Sequence, residues 1–530
     1  MTAKKMTTQS DILIIGAGGV GCAVARELSR YQLKVTVLEK ECDVAAGTSG
    51  RNSAVVHAGF NNKPGSLMAS LCVEGNEGFE TLVRDLGIPY KKTGKILVAF
   101  DDEDMDILRR MAAQGEANGC KGIRLINADE LHQHVPGVGG IGGMLSPETA
   151  IFDPFTYCVA LAENALTNGV AFKFNSEVTS IERVCAASLA AETKAVTEID
   201  PEAVADASEK ASAPSYFLVT TSSGARYQAP ILINCAGLFA DHISEMAGVP
   251  GYHLYPCRGE YFILDKVAES LLPMPVYPAP KPGIGGLGVH LTPTIDGNII
   301  IGPSAEYIDD NSDYACTAPV MDKLFSEAKM LLTALERKHI IGNYAGIRPK
   351  LAPPGEGGYH DFVIKEEETC PGLINLIGIE SPGLTASVPI AKMVTDIVKD
   401  IAARHADCAD KESALIEKPD FISTREAPIR FRDLSEDEQA KLIKQDPEYG
   451  EIICRCQKVT KREIRNAIEN PFGARSISAI KYRAWATTGR CNGGYCLTRI
   501  VDMLIHEYGV NPDEITYRGS GSELFSGEVK

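Results

Sequence analysis

Asp11-Ile-Leu-Ile-Ile-Gly16-Ala-Gly18-Gly19-Val-Gly21 decides the fold, together with the helical pattern that follows to Tyr31, the β-rich run Leu33–Leu38 and Glu39 after it. An apolar run, a glycine turn, a helical period and a second β-rich run make a βαβ unit. Gly16 permits the tight turn, Gly18 lets backbone approach a pyrophosphate, and Gly21 lets the helix pack close to the strand. The helix N-terminus offers free N–H groups and a positive dipole end to phosphates. Glu39 stands where a carboxylate can hold ribose hydroxyls, and Gly19 and Lys40 are assigned to the same site. The plainer alternative is a glycine turn that serves packing alone.

Outward from this unit, short strands and helices continue to about Lys399. The segment 186–214 is rich in Ala, Glu and Ser and carries no chemistry to assign. A charged stretch, 407–450, holds Pro419, Pro428 and Asp446-Pro447 and reads as a linker. The expected organisation is an oxidoreductase domain over 10–406, the linker, a small cysteine-bearing domain over 451–510 and a tail over 511–530.

The chain has 530 residues, 44% hydrophobic and 23% charged, which excludes a mainly disordered or fibrous protein. Its net charge of −17 would repel phosphate backbones and anionic lipid, so nucleic-acid binding is not expected. No run approaches the roughly 20 apolar residues of a membrane span. Met1–Ser10 is short and polar and lacks a signal-peptide pattern, so a cytoplasmic protein is expected. Of 15 cysteines most are scattered singly, as buried free thiols are. Cys454-Arg455-Cys456 and Cys491-Asn-Gly-Gly-Tyr-Cys496 stand apart as two tight pairs. Paired thiolates are ligands for a metal or cluster. The one-residue gap in the first pair argues mildly against zinc, and a disulfide is the plainer alternative.

Three further segments specify the nucleotide. Ala46-Gly-Thr48-Ser49-Gly-Arg-Asn52-Ser53 runs on to Val55-Val-His57-Ala-Gly59; Ile231-Leu-Ile-Asn-Cys-Ala236-Gly237 is a strand with an Ala-Gly turn; and Gly378-Ile-Glu-Ser381-Pro-Gly383-Leu384-Thr385 opens a helix. In this order they resemble the FAD-binding segments of the D-amino-acid-oxidase-like superfamily. The resemblance implies FAD, with Val178 and Gly346 also at the cofactor. It implies an α/β fold as well: a Rossmann-like FAD-binding domain with an inserted mixed-sheet substrate domain, followed by a small helical iron–sulfur domain. The last helix would aim its dipole at the flavin pyrimidine.

Pro64-Gly-Ser-Leu67, Leu71-Cys-Val-Glu-Gly75, Gly87-Ile-Pro-Tyr90, Cys257-Arg-Gly-Glu-Tyr261 and Leu287-Gly-Val-His290-Leu-Thr292 resemble L-2-hydroxyglutarate dehydrogenases. FAD-dependent glycerol-3-phosphate dehydrogenases share much of this frame. Carried over by motif, Ser53 and His57 face the flavin, Arg348 grips the substrate's anionic group, and Ser381 closes the site. His290 is either a second substrate contact or a strand residue satisfied by its neighbours. The chemistry suits these types: histidine accepts a hydroxyl proton near neutral pH, and arginine's fork matches a carboxylate. The cysteine domain resembles the bacterioferritin-associated ferredoxin module, which implies one [2Fe–2S] cluster on Cys454, Cys456, Cys491 and Cys496.

The expected function is FAD-dependent oxidation of an L-2-hydroxy acid to the 2-oxo acid, with electrons leaving through the cluster. The alternatives are glycerol 3-phosphate oxidation to dihydroxyacetone phosphate, or a non-catalytic flavin electron-transfer subunit. In the strand before Thr292, the glycerol-phosphate relatives offer a lysine about where this chain has Leu287, which ranks the hydroxy acid first. The expected partners are the small anionic substrate and, by resemblance, an electron-accepting flavoprotein or a small iron–sulfur subunit.

Overall fold

The computed structural model describes residues 7–185, 215–281, 288–356, 358–406 and 415–527. The segment 186–214 and Leu287 lie outside them. The opening βαβ unit forms as the sequence predicts, with strand Ile12–Ile15, helix Gly19–Leu28 and strand Val35–Leu38. Ile12–Ile15 is the middle of a six-stranded sheet. It pairs in parallel with Val35–Leu38 on one side and with Ile231–Asn234 on the other, Ile231 opposite Ile12. Cys370–Ile377 extends the parallel run, and Val363–Glu367 closes the edge antiparallel.

A parallel sheet is buried on both faces, so its strands are apolar throughout rather than alternating. Ile12 and Ile14 face a core shared with helices Gly19–Leu28, Pro154–Thr167 and Gly383–Ala406, while Leu13 and Ile15 face a second core with Phe217, Val219 and Leu232. Helix Leu67–Leu86 crosses Gly383–Ala406 at Gly75, where an added Cβ would sit 2.0 Å from the Thr385 carbonyl oxygen. That close crossing fixes where the last helix begins.

The substrate-side layer is a nine-stranded mixed sheet. Its long strands, Tyr255–Leu264 and Ile340–Lys350, pair antiparallel with Cys257 opposite Arg348 and Gly259 opposite Gly346. This sheet covers its own core with helix Ala318–Leu331. The expected α/β architecture with an inserted mixed sheet is therefore present.

Residues 415–432 lie along the first domain, and the stretch after them, with helix Glu436–Gln445 and its Ser435–Glu438 capping box, meets the C-terminal domain through the Asp446–Arg462 and Glu448–Arg465 ion pairs. Asn164 donates to the Ile422 and Thr424 carbonyls, and Arg425 pairs with Glu163 at 2.6 Å. The C-terminal domain is a two-stranded ribbon and helices Lys461–Ile468, Ile477–Ala484 and Leu497–His506 around one small core. It docks firmly on the first domain. Tyr482 stacks on Phe155 at 4.0 Å, Trp485 donates to Asp153 at 2.7 Å, and Arg490 pairs with Asp265. Among the described residues no helix is long and apolar enough to cross a membrane.

Candidate active site

A cavity of about 780 Å³ runs between the two sheets and under the C-terminal domain. Of the residues assigned from sequence, Gly16, Gly18, Gly19, Glu39, Lys40, Thr48, Ser49, Asn52, Ser53, Ala236, Gly237, Gly346, Gly383, Leu384 and Thr385 line it. So do His57, His290, Arg348 and Ser381. Two assigned residues do not. Gly21 lies behind the wall and acts by close packing, since a Cβ there would be 2.0 Å from the Gly16 carbonyl oxygen. Val178 is buried in the core with Leu13 and Ile15, because the start of its strand turns that side chain into the sheet's far face.

The glycine end has the form of a dinucleotide cradle. Gly16 has φ +101°, and a Cβ there would meet the Cys235 carbonyl oxygen at 2.5 Å. The Glu39 carboxylate accepts from the Ala17 and Glu41 backbone N–H groups at 2.7 and 2.9 Å. Burial pushes its carboxyl up, and those N–H groups oppose the shift. Ser49 Oγ accepts from the Gly19 N–H at 2.9 Å, so the small polar loop is drawn across the helix N-terminus. A close-approach turn, free N–H groups and a buried carboxylate fit FAD. The same loop reaches the mixed sheet: Thr48 donates to the Ile347 carbonyl at 2.7 Å, and Tyr344 OH donates to the Asn52 carbonyl at 2.8 Å. Only glycine fits at 346, where a Cβ would sit 2.0 Å from the Arg51 carbonyl oxygen.

At the other end four side chains from four separate segments converge. The His57 backbone N–H donates to Thr385 Oγ1 at 3.1 Å, and Ser381 Oγ lies 3.4 Å from His57 Nε2. Burial, with Lys95 and His290 nearby, holds His57 well below the usual histidine range. His290 stacks on Tyr277 at 3.8 Å, its Nδ1 is 3.0 Å from the Gly288 carbonyl, and burial lowers it to about 3. Burial favours the neutral form of both imidazoles. Arg348 donates to the Ser304 carbonyl at 2.9 Å, and no described carboxylate pairs with its guanidinium. The nearest acid, Glu380, is engaged by Lys350 at 3.1 and 3.2 Å, both wholly buried. Sequence reasoning missed Tyr261, which touches Ser53 and Arg348, and Tyr277 and Tyr359, which also line the cavity. Tyr261 is the last residue of the motif Cys257–Tyr261 already singled out, which is the signal that could have found it.

In the C-terminal domain the four assigned cysteines gather at one place. Cys454 and Cys456 sulfurs are 3.8 Å apart, Cys456 and Cys491 are 3.9 Å apart, and the free thiols Cys454 and Cys496 are in hydrogen-bond contact. Among the described residues no group of three or more His, Cys, Asp or Glu side chains is arranged to hold a single metal ion. The Thr487 N–H points at the Cys454 and Cys496 sulfurs. Gly489 has no room for a side chain, because a Cβ would be 2.3 Å from Cys456 Sγ. Cys454 and Cys496 are buried, and Cys456 and Cys491 are exposed.

Residues 11–397 match the family described as FAD dependent oxidoreductase. The chain belongs to that family. Residues 452–506 of this FAD-dependent oxidoreductase match the BFD-like [2Fe-2S] binding domain, so the chain carries FAD and an iron–sulfur cluster. A glycerol 3-phosphate dehydrogenase of Caloramator mitchellensis is 35% identical over 98% of this chain and 99% of its own. A mitochondrial L-2-hydroxyglutarate dehydrogenase of Arabidopsis thaliana is 33% identical over 73% of this chain and 83% of its own. The FAD-bound L-α-glycerophosphate oxidase of Mycoplasma pneumoniae superposes with a TM-score of 0.67 at 26% identity, covering 80% of this chain and 100% of that one. The relatives act on CH–OH groups, and this chain is an FAD-dependent oxidoreductase of that kind.

Proposed function

We propose that the chain is a dehydrogenase of a small dianionic secondary alcohol, with glycerol 3-phosphate the leading substrate. The observation that carries this reading is the relative aligned across both domains, the iron–sulfur module included, which is named for that substrate. The electrostatics agree with an anion. At the histidine end the Arg348 guanidinium faces the cavity with no described carboxylate paired to it, and Glu380 is already engaged by Lys350. L-2-hydroxyglutarate is the second reading, favoured by Val289-His290-Leu291-Thr292 and by the hydroxyglutarate-named relatives. It too carries two negative charges, so charge alone does not separate the two.

FAD, when bound, supplies the two-electron acceptor. Gly16, Gly18, Glu39 and Ser49 would hold its adenosine and pyrophosphate, and the start of helix Gly383–Ala406 would lie beside its ring. Arg348 grips the substrate anion with its fork, helped by the Tyr261 hydroxyl. His57, neutral and braced by Ser381 and Thr385, accepts the hydroxyl proton. Tyr359 and Pro382 wall the reacting carbon from bulk water. Cys454, Cys456, Cys491 and Cys496 hold the cluster that carries electrons onward, to an external flavoprotein or a small iron–sulfur subunit.

Anaerobic titration of the yellow holoprotein tests the reading. Glycerol 3-phosphate should bleach the flavin at micromolar to millimolar concentration, with L-2-hydroxyglutarate much poorer. The reverse order establishes the second reading. Bleaching by neither would leave the chain an electron carrier and defeat both.

A further inference from the structure

His57, Tyr359, Ser381 and Pro382 form a partition. On one side lies the main cavity, and on the other a second cavity of about 20 Å³, room for a single water. Lys95 projects into this second cavity, beside Cys72 and Phe60. It begins strand Lys95–Ala99, whose other residues are all apolar, and it is 0% exposed. Its Nζ has no hydrogen-bond partner. Instead it sits over the Phe60 ring at 4.5 Å and the Tyr277 ring at 4.4 Å. Tyr277 is the ring on which His290 stacks.

A wholly buried lysine without a carboxylate is unusual, because burial opposes its charge. The titratable groups that face Lys95 are His57, His290, Cys72, Cys120 and Tyr277. Burial keeps both thiols protonated, Cys120 at about 11 and Cys72 higher still, so neither supplies a counter-charge. Burial brings the Lys95 amine down to about 7, and His57 is pushed well below its ordinary 6.5. Between the two, the amine holds a proton more tightly than the imidazole does.

We propose that Lys95 is a proton-positioning residue whose amine takes, through His57, the proton that the substrate hydroxyl releases. The inference rests on His57 as the first acceptor and is independent of which alcohol is the substrate. In the step, the substrate O–H bond breaks and its proton goes to a ring nitrogen of His57. The C–H bond breaks, and the hydrogen leaves with its electron pair to oxidised FAD, as the family's activity requires. The imidazolium then gives its proton to the Lys95 amine, directly or across the small cavity, and neutral His57 is restored. Two ring faces stabilise the new ammonium without trapping it as a carboxylate would. After the product leaves, the proton returns through His57 to solvent.

The test uses the holoprotein and whichever alcohol bleaches the wild-type flavin. Anaerobic flavin reduction is followed from about pH 5.5 to about pH 9 in the wild type, Lys95→Met, Lys95→Arg and His57→Ala. The wild-type rate should fall as pH drops through about 7, the range in which the amine becomes protonated. Lys95→Met should lose that limb and run about 100-fold slower at pH 8, and Lys95→Arg should be slow at every pH. A readout without turnover is binding of the ketone product to the oxidised enzyme, followed by the flavin spectrum. Its pH dependence near 7 should vanish in Lys95→Met. If Lys95→Met keeps the wild-type rate and profile while His57→Ala is slow, the Lys95 role is overturned. If His57→Ala is also fast, it is the reading of His57 that fails. Should Lys95→Met not fold, a wild-type profile flat between about pH 6 and 8 overturns the proposal by itself.

Discussion

Arg483 and Asp43 form a buried ion pair across the domain boundary, with both guanidinium nitrogens on the carboxylate at 2.5 and 2.9 Å. They are 440 residues apart in sequence, and their side chains are only 5% and 7% exposed. Asp43 lies just past the nucleotide strand, so the pair ties the cysteine domain to the wall of the FAD cavity. Removing Asp43 leaves the buried Arg483 charge with only the longer 4.0 Å contact to Glu163, and breaking a buried pair costs about 3–5 kcal/mol. Asp43→Ala is expected to lower the thermal midpoint and expose 415–450 to protease. The double variant Asp43→Leu, Arg483→Met should recover most of the loss.

The glycine turn gives a graded prediction. Gly21→Ala places a Cβ against the Gly16 carbonyl oxygen at 2.0 Å, whereas at Gly18 the nearest atom is the Ser49 hydroxyl at 3.1 Å. A hydroxyl can rotate aside and a backbone carbonyl cannot. Gly21→Ala should therefore purify colourless or fail to fold, and Gly18→Ala should stay yellow with weaker FAD retention, as read by absorbance after dialysis.

Arg348→Ala is expected to raise KM about 100-fold while leaving FAD bound, because the guanidinium has no other anion to hold. Arg348→Lys should recover only part of this, since an ammonium lacks the planar fork. Steady-state kinetics on the preferred alcohol checks both.

Cys456→Ser should lose the cluster, with iron and acid-labile sulfide falling together. Flavin bleaching by substrate should continue, because His57 and Arg348 lie in the other domain. Transfer to an external acceptor should stop. Wild-type protein that contains zinc and no labile sulfide after anaerobic purification would contradict the cluster assignment.

His290 predicts a pH dependence of stability. Its folded pKa of about 3 lies below the unfolded value of about 6.5. Between those limits the unfolded chain binds a proton that the folded one does not, so stability falls as pH falls. His290→Gln should flatten the thermal midpoint between about pH 6.5 and 4 relative to wild type.

What was legible in the sequence was local. The glycine turn, Glu39, the 46–59 loop and the 378–385 turn are contiguous segments, and each reaches the cavity that its pattern implied. The two cysteine pairs also announced themselves by spacing. Lys95, Tyr261, Tyr277 and Tyr359 did not, because their roles come from burial and from convergence of strands far apart in the chain. A lysine opening an apolar strand reads as a surface residue until the sheet is folded around it. Val178 turns its side chain into the core with Leu13 and Ile15, so that side chain is not part of the cavity wall. The docking of the cysteine domain was likewise hidden: Asp43, Asp153 and Asp265 read as ordinary surface acids, and only the fold brings Arg483, Trp485 and Arg490 to them.

The split between buried Cys454 and Cys496 and exposed Cys456 and Cys491 gives the metal centre a dry flank and a wet one. Chelators, dioxygen and redox dyes all arrive from the wet flank. Oxidation and chelation would therefore reach Cys456 and Cys491 first. Because Cys454 and Cys496 belong to the small core of that domain, loss of the cluster would loosen the domain's own packing.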